Sequence, residues 1–381
     1  MKIGKIVFDI IANIICNREI TVDEISESDF EYLLCISNKH DLSHILWNYI
    51  EHLNYPKDNI NIKKFQKSQS LAMYRYVQNE NELNTLIEIF ENECIPFIPL
   101  KGSVLRNYYP EPWMRTSCDI DLLVKEQDIE RAVKLLVEKY GYTYKERGLH
   151  DISLYSQNNI HLELHFDLTS EDAYVSVLSK VWDNCFLAEN RRYQYIMNNE
   201  FFAFYHITHM AEHFVRSGCG IRPFLDLWVI NKKIGYDETK VIAMLEEISL
   251  SDFYKNSQKL IKVWFEDDEH TDLTLKMEYF IIGSGIYGTT ENKIAMNQTE
   301  NGGRFKYIWN RVFLPYDKLK RLYPKTEQCV ILVPFYQIKR WFNFLFNKDK
   351  KRAAHELKAN FSVYNEKINS MDALSKELGL K

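Results

Sequence analysis

Glycine and proline are scarce in this chain of 381 residues, at 13 and 9, which argues against a loop-rich or low-complexity protein. No basic excess is present: the net charge is −5, so a long nucleic acid would have to be held by a local patch. The cysteines Cys16, Cys35, Cys94, Cys118, Cys185, Cys219 and Cys329 are scattered, with no CxxC pair. An odd number without metal-ligand spacing fits reduced thiols and a cytoplasmic protein better than a disulfide framework. No stretch approaches the roughly 20 apolar residues of a membrane span. In the opening "MKIGKIVFDIIANIIC", Asp9 and Asn13 interrupt the apolar run and no small-residue cleavage site follows. It reads as an amphipathic first helix, not a targeting segment.

Hydrophobic residues make up 46% of the chain, enough for a large core, and their spacing divides it into three parts. Residues 1–80 carry apolar positions three and four apart, as in "FEYLLCISNKHDLSHILWNYIEHL", and contain no βαβ unit. Residues 81–197 change character. A helix is expected from Asn81 to about Glu93, followed by "IPFIPLKG" as an edge or irregular strand because of Pro96 and Pro99. "CDIDLLV" reads as a strand. "DIERAVKLLVEKYG" reads as a helix with Ile129, Val133, Leu136, Val137 and Tyr140 on one face and Gly141 as its stop. "ISLYS" and "IHLELHFDL" complete an order of α-β-α-β-α-β-β. Residues 198–381 turn helical again, with two helices expected around Gly218-Cys219-Gly220 and a loop over Gly283–Lys293. The charge-rich end, "KRWFNFLFNKDKKR", reads as a packed amphipathic helix, with contact to an anionic membrane surface as the alternative. The expected fold class is α+β: a small mixed sheet flanked by helical regions before and after it.

Three positions carry the chemistry. Successive side chains of a strand point to opposite faces, so Asp119 and Asp121 share one face about 7 Å apart while Ile120 and Leu122 enter a core. Carboxylates held this close repel each other, and a divalent cation removes the conflict because oxygen ligands suit Mg²⁺; a solvated strand edge is the plainer reading of the pair. "IHLELHF" alternates in the same way, with His161, Glu163 and His165 on one face, so Glu163 can be a third acid if the two strands are neighbours. Gly102 and Ser103 stand between a strand and the helix "SVLRNYY". Glycine admits a phosphate close to the backbone, and the hydroxyl and helix-start amides can bind it. Lys101 and Arg115 add positive charge beside the acids.

Taken together, "LKGSVLRNYYPEPWMRTSCDIDLLV" and "HLELHF" resemble the bacterial uncharacterised nucleotidyltransferase family (NTP_transf_5), within the DNA polymerase β-like nucleotidyltransferase superfamily. The motif-bearing likeness covers about residues 80–170 and continues more loosely through "HITHMAEHF" and "IRPFLDLW". It implies a small nucleotidyltransferase core and transfer of a nucleoside monophosphate from a nucleoside triphosphate, such as ATP, to an acceptor hydroxyl. Asp119, Asp121 and Glu163 would be catalytic and would bind two Mg²⁺ (or Mn²⁺) ions, and Gly102 and Ser103 would grip the β- and γ-phosphates with Lys101 or Arg115 nearby. The acceptor, small molecule or macromolecule, has no signature. Two other readings stay open: a glycosyltransferase that uses D-x-D to hold a sugar nucleotide, and a non-catalytic nucleotide- or partner-binding relic of the fold.

Further polar residues follow in the helical part. His206, His209 and His213 share one helical face and read as ordinary buried histidines, a cleft lining, or a zinc site. Arg222 and Asp226, four apart, read as a helix ion pair or as substrate-orienting groups. His161 and His165 read as second-layer packing beside Glu163 or as aids to proton transfer.

Overall fold

The computed structural model describes residues 3–18, 25–53, 59–286, 288–289, 292–293, 306, 309–310, 312–346 and 365–380. Four helices come first: α1 (Ile3–Ile15), α2 (Glu27–His40), α3 (Ser43–Ile50) and α4 (Ile60–Asn92). The expected amphipathic α1 packs inward, with Phe8 stacked on Trp264 at 4.6 Å between ring centroids. Helix α2 starts at Ser26, whose hydroxyl accepts from the Asp29 amide 3.2 Å away. The helix expected to begin at Asn81 is the second half of α4, a single 33-residue rod. No glycine or proline lies between Asn59 and Glu93 to end it.

A five-stranded sheet follows, in the order β1-β2-β5-β4-β3. It consists of β1 (Phe97–Pro99), β2 (Asp119–Val124), β3 (Thr143–Arg147), β4 (Asp151–Tyr155) and β5 (His161–His165). Strands β2 and β5 run parallel and every other pairing is antiparallel, so the sheet is mixed, as expected. Strand β1 lies at the sheet's edge, as Pro96 and Pro99 suggested. Strand β3 was not expected: "TYKER" has no apolar alternation, and its residues are mostly exposed. Between strands lie α5 (Gly102–Leu105), one turn long, and α6 (Ile129–Glu138). A short α7 (Asp172–Leu178) and a hairpin of β6 (Cys185–Leu187) and β7 (Tyr195–Met197) lead out of the sheet.

The helices α8 (Asn199–Ser217) and α9 (Arg222–Lys233) flank the Gly218–Gly220 turn as expected. Next come α10 (Glu238–Glu247), α11 (Ser251–Phe265) and α12 (Asp272–Ser284). Helix α12 carries the chain through Gly283 and Ser284, so the expected loop begins at Gly285. A Cβ on Gly288 would lie 1.9 Å from the Ser217 carbonyl oxygen, and its φ of +69° also suits glycine. Residues 287, 290 and 291 of that loop lie outside the described residues. Near the other end, the helix Val333–Phe346 carries the first part of "KRWFNFLFNKDKKR", where Trp341 packs edge-on against Phe313 at 5.4 Å while Phe342 is exposed. Side chains from 343 to 350 of that stretch lie outside the described residues.

Two cores divide the hydrophobic residues. One face of the sheet, through Ile120, Leu122, Val124, Leu162 and Leu164, packs with Leu83, Leu86 and Phe90 of α4 and Leu136 of α6. The larger core joins α1–α3, the first half of α4, and α8–α12. The alternation of β2 and β5 therefore sends their polar side chains out of the sheet's other face.

The larger core also holds two fully buried histidines, His40 and His44. Burial lowers each to about 4 from an ordinary value of 6.5. The His44 Nε2 donates to the Met114 carbonyl at 2.8 Å. An unfolded chain takes up these protons near 6.5 and the folded one only near 4, so the stabilising difference is whole above 6.5 and is lost as pH falls towards 4. The loss is on the order of 3 kcal/mol for each group. The urea midpoint should decline across that window; a flat midpoint between pH 6.5 and 4.5 would contradict neutral burial.

Candidate active site

Parallel pairing of β2 and β5 places Asp121 opposite Glu163, Asp119 opposite His161 and Leu123 opposite His165. In the resulting arrangement Glu163 belongs to two groups. With Asp119 and His161, and separately with Asp121 and His165, it brings candidate ligand atoms within 4.8 Å of one another. The donor set is dominated by carboxylate oxygens, the chemistry that suits Mg²⁺ or Mn²⁺. The His165 Nε2 donates to Asp121 Oδ1 at 2.9 Å and stands 3.6 Å from Glu163 Oε2. His165 thus orients the acids, as a second-layer group does. His161 stacks on Tyr155 and lies 3.2 Å from the Ser153 hydroxyl.

The two aspartates are unlike. Burial, then the charges of Asp121 and Glu163, raise Asp119 to about 6. Burial also acts to raise Asp121, but the Lys101 ammonium and the His165 imidazole outweigh it and hold this carboxyl well below the usual carboxylate range. Lys101 Nζ donates to Asp121 Oδ1 at 2.8 Å. Burial would lower the Lys101 ammonium, yet Asp121 and its neighbours raise it, so it stays charged.

Lys101 opens the turn that precedes α5, with φ +46°. Gly102 follows where a Cβ would stand 3.0 Å from the Ser117 Cβ, so the turn presses against the segment leading into Asp119. The buried Ser103 hydroxyl has no hydrogen-bond partner among the described residues. A phosphate oxygen is the kind of group that would satisfy it.

Arg115 lies beside this turn, its Nη1 3.8 Å from where a Cβ on Gly102 would stand. Its Nε donates to both oxygens of Asp226, at 2.8 and 2.9 Å, and its Nη1 donates to the Thr116 carbonyl at 2.6 Å. Arg222 and Asp226 do not pair with each other. Arg222 is ion-paired with Asp41 and donates to the Thr116 carbonyl at 3.3 Å, while Asp226 also accepts from the Tyr109 hydroxyl at 2.7 Å. The helix-pair expectation fails because both side chains are claimed by partners from other elements. His206 donates to the Pro223 carbonyl at 2.9 Å and serves as a packed histidine of the helical wall.

The other two histidines of α8, His209 and His213, pack against each other with ring centroids 4.4 Å apart. Burial, His213 and Lys101 hold His209 well below its ordinary value, and burial with Lys101 lowers His213 to about 4. The Nε2 atoms of His209 and His213 are 3.1 Å apart, one donating to the other. Glu212 does not join them, being bonded to the Thr169 hydroxyl. Among the described residues no third ligand group gathers around the pair. Two residues near the acids went unread in the sequence. His150 packs 5.3 Å from the His165 ring, and Tyr205 is one turn before His209 on α8. Neither falls in a recognisable motif, and Tyr205 is hidden in the nearly continuous apolar run "EFFAFYHI".

The sequence profile of a family described as uncharacterised nucleotidyltransferase matches residues 26–266. Among solved structures, the solution structure of the antibiotic-resistance factor ANT(2'')-Ia is similar over 50% of this chain and 99% of its own, at 11% identity and a TM-score of 0.35. No curated protein matches the sequence.

Proposed function

Because the chain belongs to the uncharacterised nucleotidyltransferase family, we propose that it moves a nucleoside monophosphate from a nucleoside triphosphate to an acceptor hydroxyl, using two divalent metal ions. The observation that carries this reading is the register of β2 and β5, which sets Asp121 against Glu163 with Asp119 one step away on the same face. In the reaction the acceptor oxygen bonds to the α-phosphorus, the bond to the β-phosphate oxygen breaks, and pyrophosphate leaves. Asp119, Asp121 and Glu163 would hold Mg²⁺ or Mn²⁺, which when bound would supply charge neutralisation for the transfer.

The chain's own groups do the remaining work of positioning, which provides most of the rate in phosphoryl-type transfer. Lys101, with its ammonium fixed beside Asp121, attracts the triphosphate. Gly102 allows close backbone approach, and Ser103 offers its unpartnered hydroxyl. Arg115 adds positive charge beneath the turn. His165 keeps the Asp121 and Glu163 carboxylates oriented. Glu163, whose carboxylate is the more exposed of this pair, is placed to receive the acceptor's proton.

The test is label transfer. Purified protein, Mg²⁺, each of the four nucleoside triphosphates labelled at the α-phosphate, and fractionated cell extract should yield a labelled product and pyrophosphate. Transfer that persists undiminished in Asp119→Asn/Asp121→Asn would overturn the assignment.

A further inference from the structure

The helix Val333–Phe346 contributes no residue to the acid cluster, and only one of its faces is fastened to the segment before it. Tyr336 stacks on Tyr323 at 4.6 Å between ring centroids, Gln337 Nε2 donates to the Leu314 carbonyl at 2.7 Å, and Trp341 Nε1 donates to the Val312 carbonyl at 2.7 Å. The opposite face carries Phe335, Ile338 and Phe342, which at about 100° per residue fall within about 60° of one another. All three are exposed, and Ile331, just before the helix, is 86% exposed. Trp309 is 62% exposed and packs on Phe313, which in turn meets Trp341.

A contiguous stripe of large apolar side chains facing water marks a contact surface, and charge identifies the partner. Residues 304–352 hold 13 lysines and arginines against Asp317, Glu327 and Asp349, a net +10 in a chain whose total is −5. Lys325 and Lys339 are exposed, and Lys339 borders the stripe one position after Ile338. A second copy of the chain would bring two such basic segments face to face, which like charges oppose. A nucleic acid would use the cations but gain nothing from Ile331 and Ile338, aliphatic side chains that neither stack on bases nor bind phosphate. An anionic bilayer uses both features: headgroup phosphates attract the lysines, acyl chains receive the stripe, and tryptophan suits the boundary between them. Among the described residues no helix is long and apolar enough to cross a membrane, so such a contact is peripheral.

We propose that the face formed by Ile331, Phe335, Ile338 and Phe342, with the basic residues around it, docks the protein on the surface of an anionic lipid bilayer. The helix Val333–Phe346 lies in the headgroup plane with this face sunk by about 5–10 Å. The docking surface is separate from the acid cluster and does not depend on the reaction proposed there.

The test is co-flotation of the 381-residue chain with lipid vesicles. Vesicles of phosphatidylglycerol mixed with phosphatidylcholine should carry the protein up the gradient, and vesicles of phosphatidylcholine alone should bind it about tenfold less well or worse. Raising the salt should weaken binding to the mixed vesicles. Ile331→Ser/Phe335→Ser/Ile338→Ser should weaken it by about tenfold or more through lost apolar contact, and Lys325→Glu/Lys339→Glu should do so through charge. Both variants change exposed side chains, so their thermal midpoints should stay at the wild-type value. Protein that remains at the bottom of the gradient with mixed vesicles would overturn the proposal. So would a serine variant that binds as well as wild type, which would leave charge attraction alone. A wild-type dimer that the serine variant reduces to a monomer in sedimentation would make the stripe a contact between copies. Binding of single-stranded RNA that the serine variant loses would make it an RNA surface, and either result refutes the bilayer.

Discussion

Asp119→Asn should stabilise the metal-free protein and Asp121→Asn should destabilise it, although each should lower nucleotidyl transfer by on the order of a thousandfold or more. The opposite signs follow from the two environments. Asp119 is raised to about 6 by burial and by its acidic neighbours. An acid raised on folding is neutral at no penalty below its unfolded value, and its ionisation destabilises the fold as pH climbs through 6. At pH 7.5 the amide removes that repulsion, a gain of roughly 1–2 kcal/mol. Asp121 is the reverse case: it is 4% exposed and accepts from both Lys101 and His165. Neutralising it leaves the Lys101 ammonium without its counter-charge, a loss of about 2–4 kcal/mol. Denaturant titration in EDTA at pH 7.5 gives both signs. Two shifts in the same direction would show that the acids are not divided in this way.

The second large effect is expected at Asp226→Ala, far from the acids in sequence. Asp226 is buried and binds Arg115 and the Tyr109 hydroxyl. Around them, Arg222 is tied to Asp41, the Thr116 hydroxyl donates to Asp41 at 2.9 Å, and His44 holds the Met114 carbonyl. This network fastens residues 109–116, the approach to β2, onto α2, α3 and α9. Removing the carboxylate leaves a guanidinium and a phenol without their acceptor, which should cost about 3–5 kcal/mol of stability. Asp226→Asn should lose less, because its amide oxygen still accepts. The urea midpoints of both variants check the order, and equal midpoints for alanine and wild type would sink it.

The two predictions differ in how far their residues could be read from sequence. Asp119, Asp121 and Glu163 were legible because a strand's two-residue period sorts side chains by face, and because "DID" and "HLELH" each alternate without a break. That the two strands are neighbours entered the sequence reading only as a condition, and their parallel pairing with Asp121 opposite Glu163 is something no local pattern dictates. The Arg115–Asp226 pair joins residues 111 apart; spacing along one helix pointed Asp226 at Arg222 instead, and tertiary neighbours decided otherwise. Strand β3 was invisible because an edge strand of exposed, charged residues has no apolar face to announce it. Tyr205 was obscured by the opposite circumstance. Helix α8 is buried on nearly all sides, so its composition shows no stripe from which a single polar position could be singled out.

Helix α4 also has a mechanical consequence. Its early residues Ile62, Phe65 and Ala72 are keyed into one core and its later residues Leu83, Leu86 and Phe90 into the other. A rod of 33 residues, about 50 Å long, acts as a torsional shaft between them. One alanine inserted near its midpoint would turn one end by about 100° against the other, so that neither set of side chains could keep its seat unless the shaft broke.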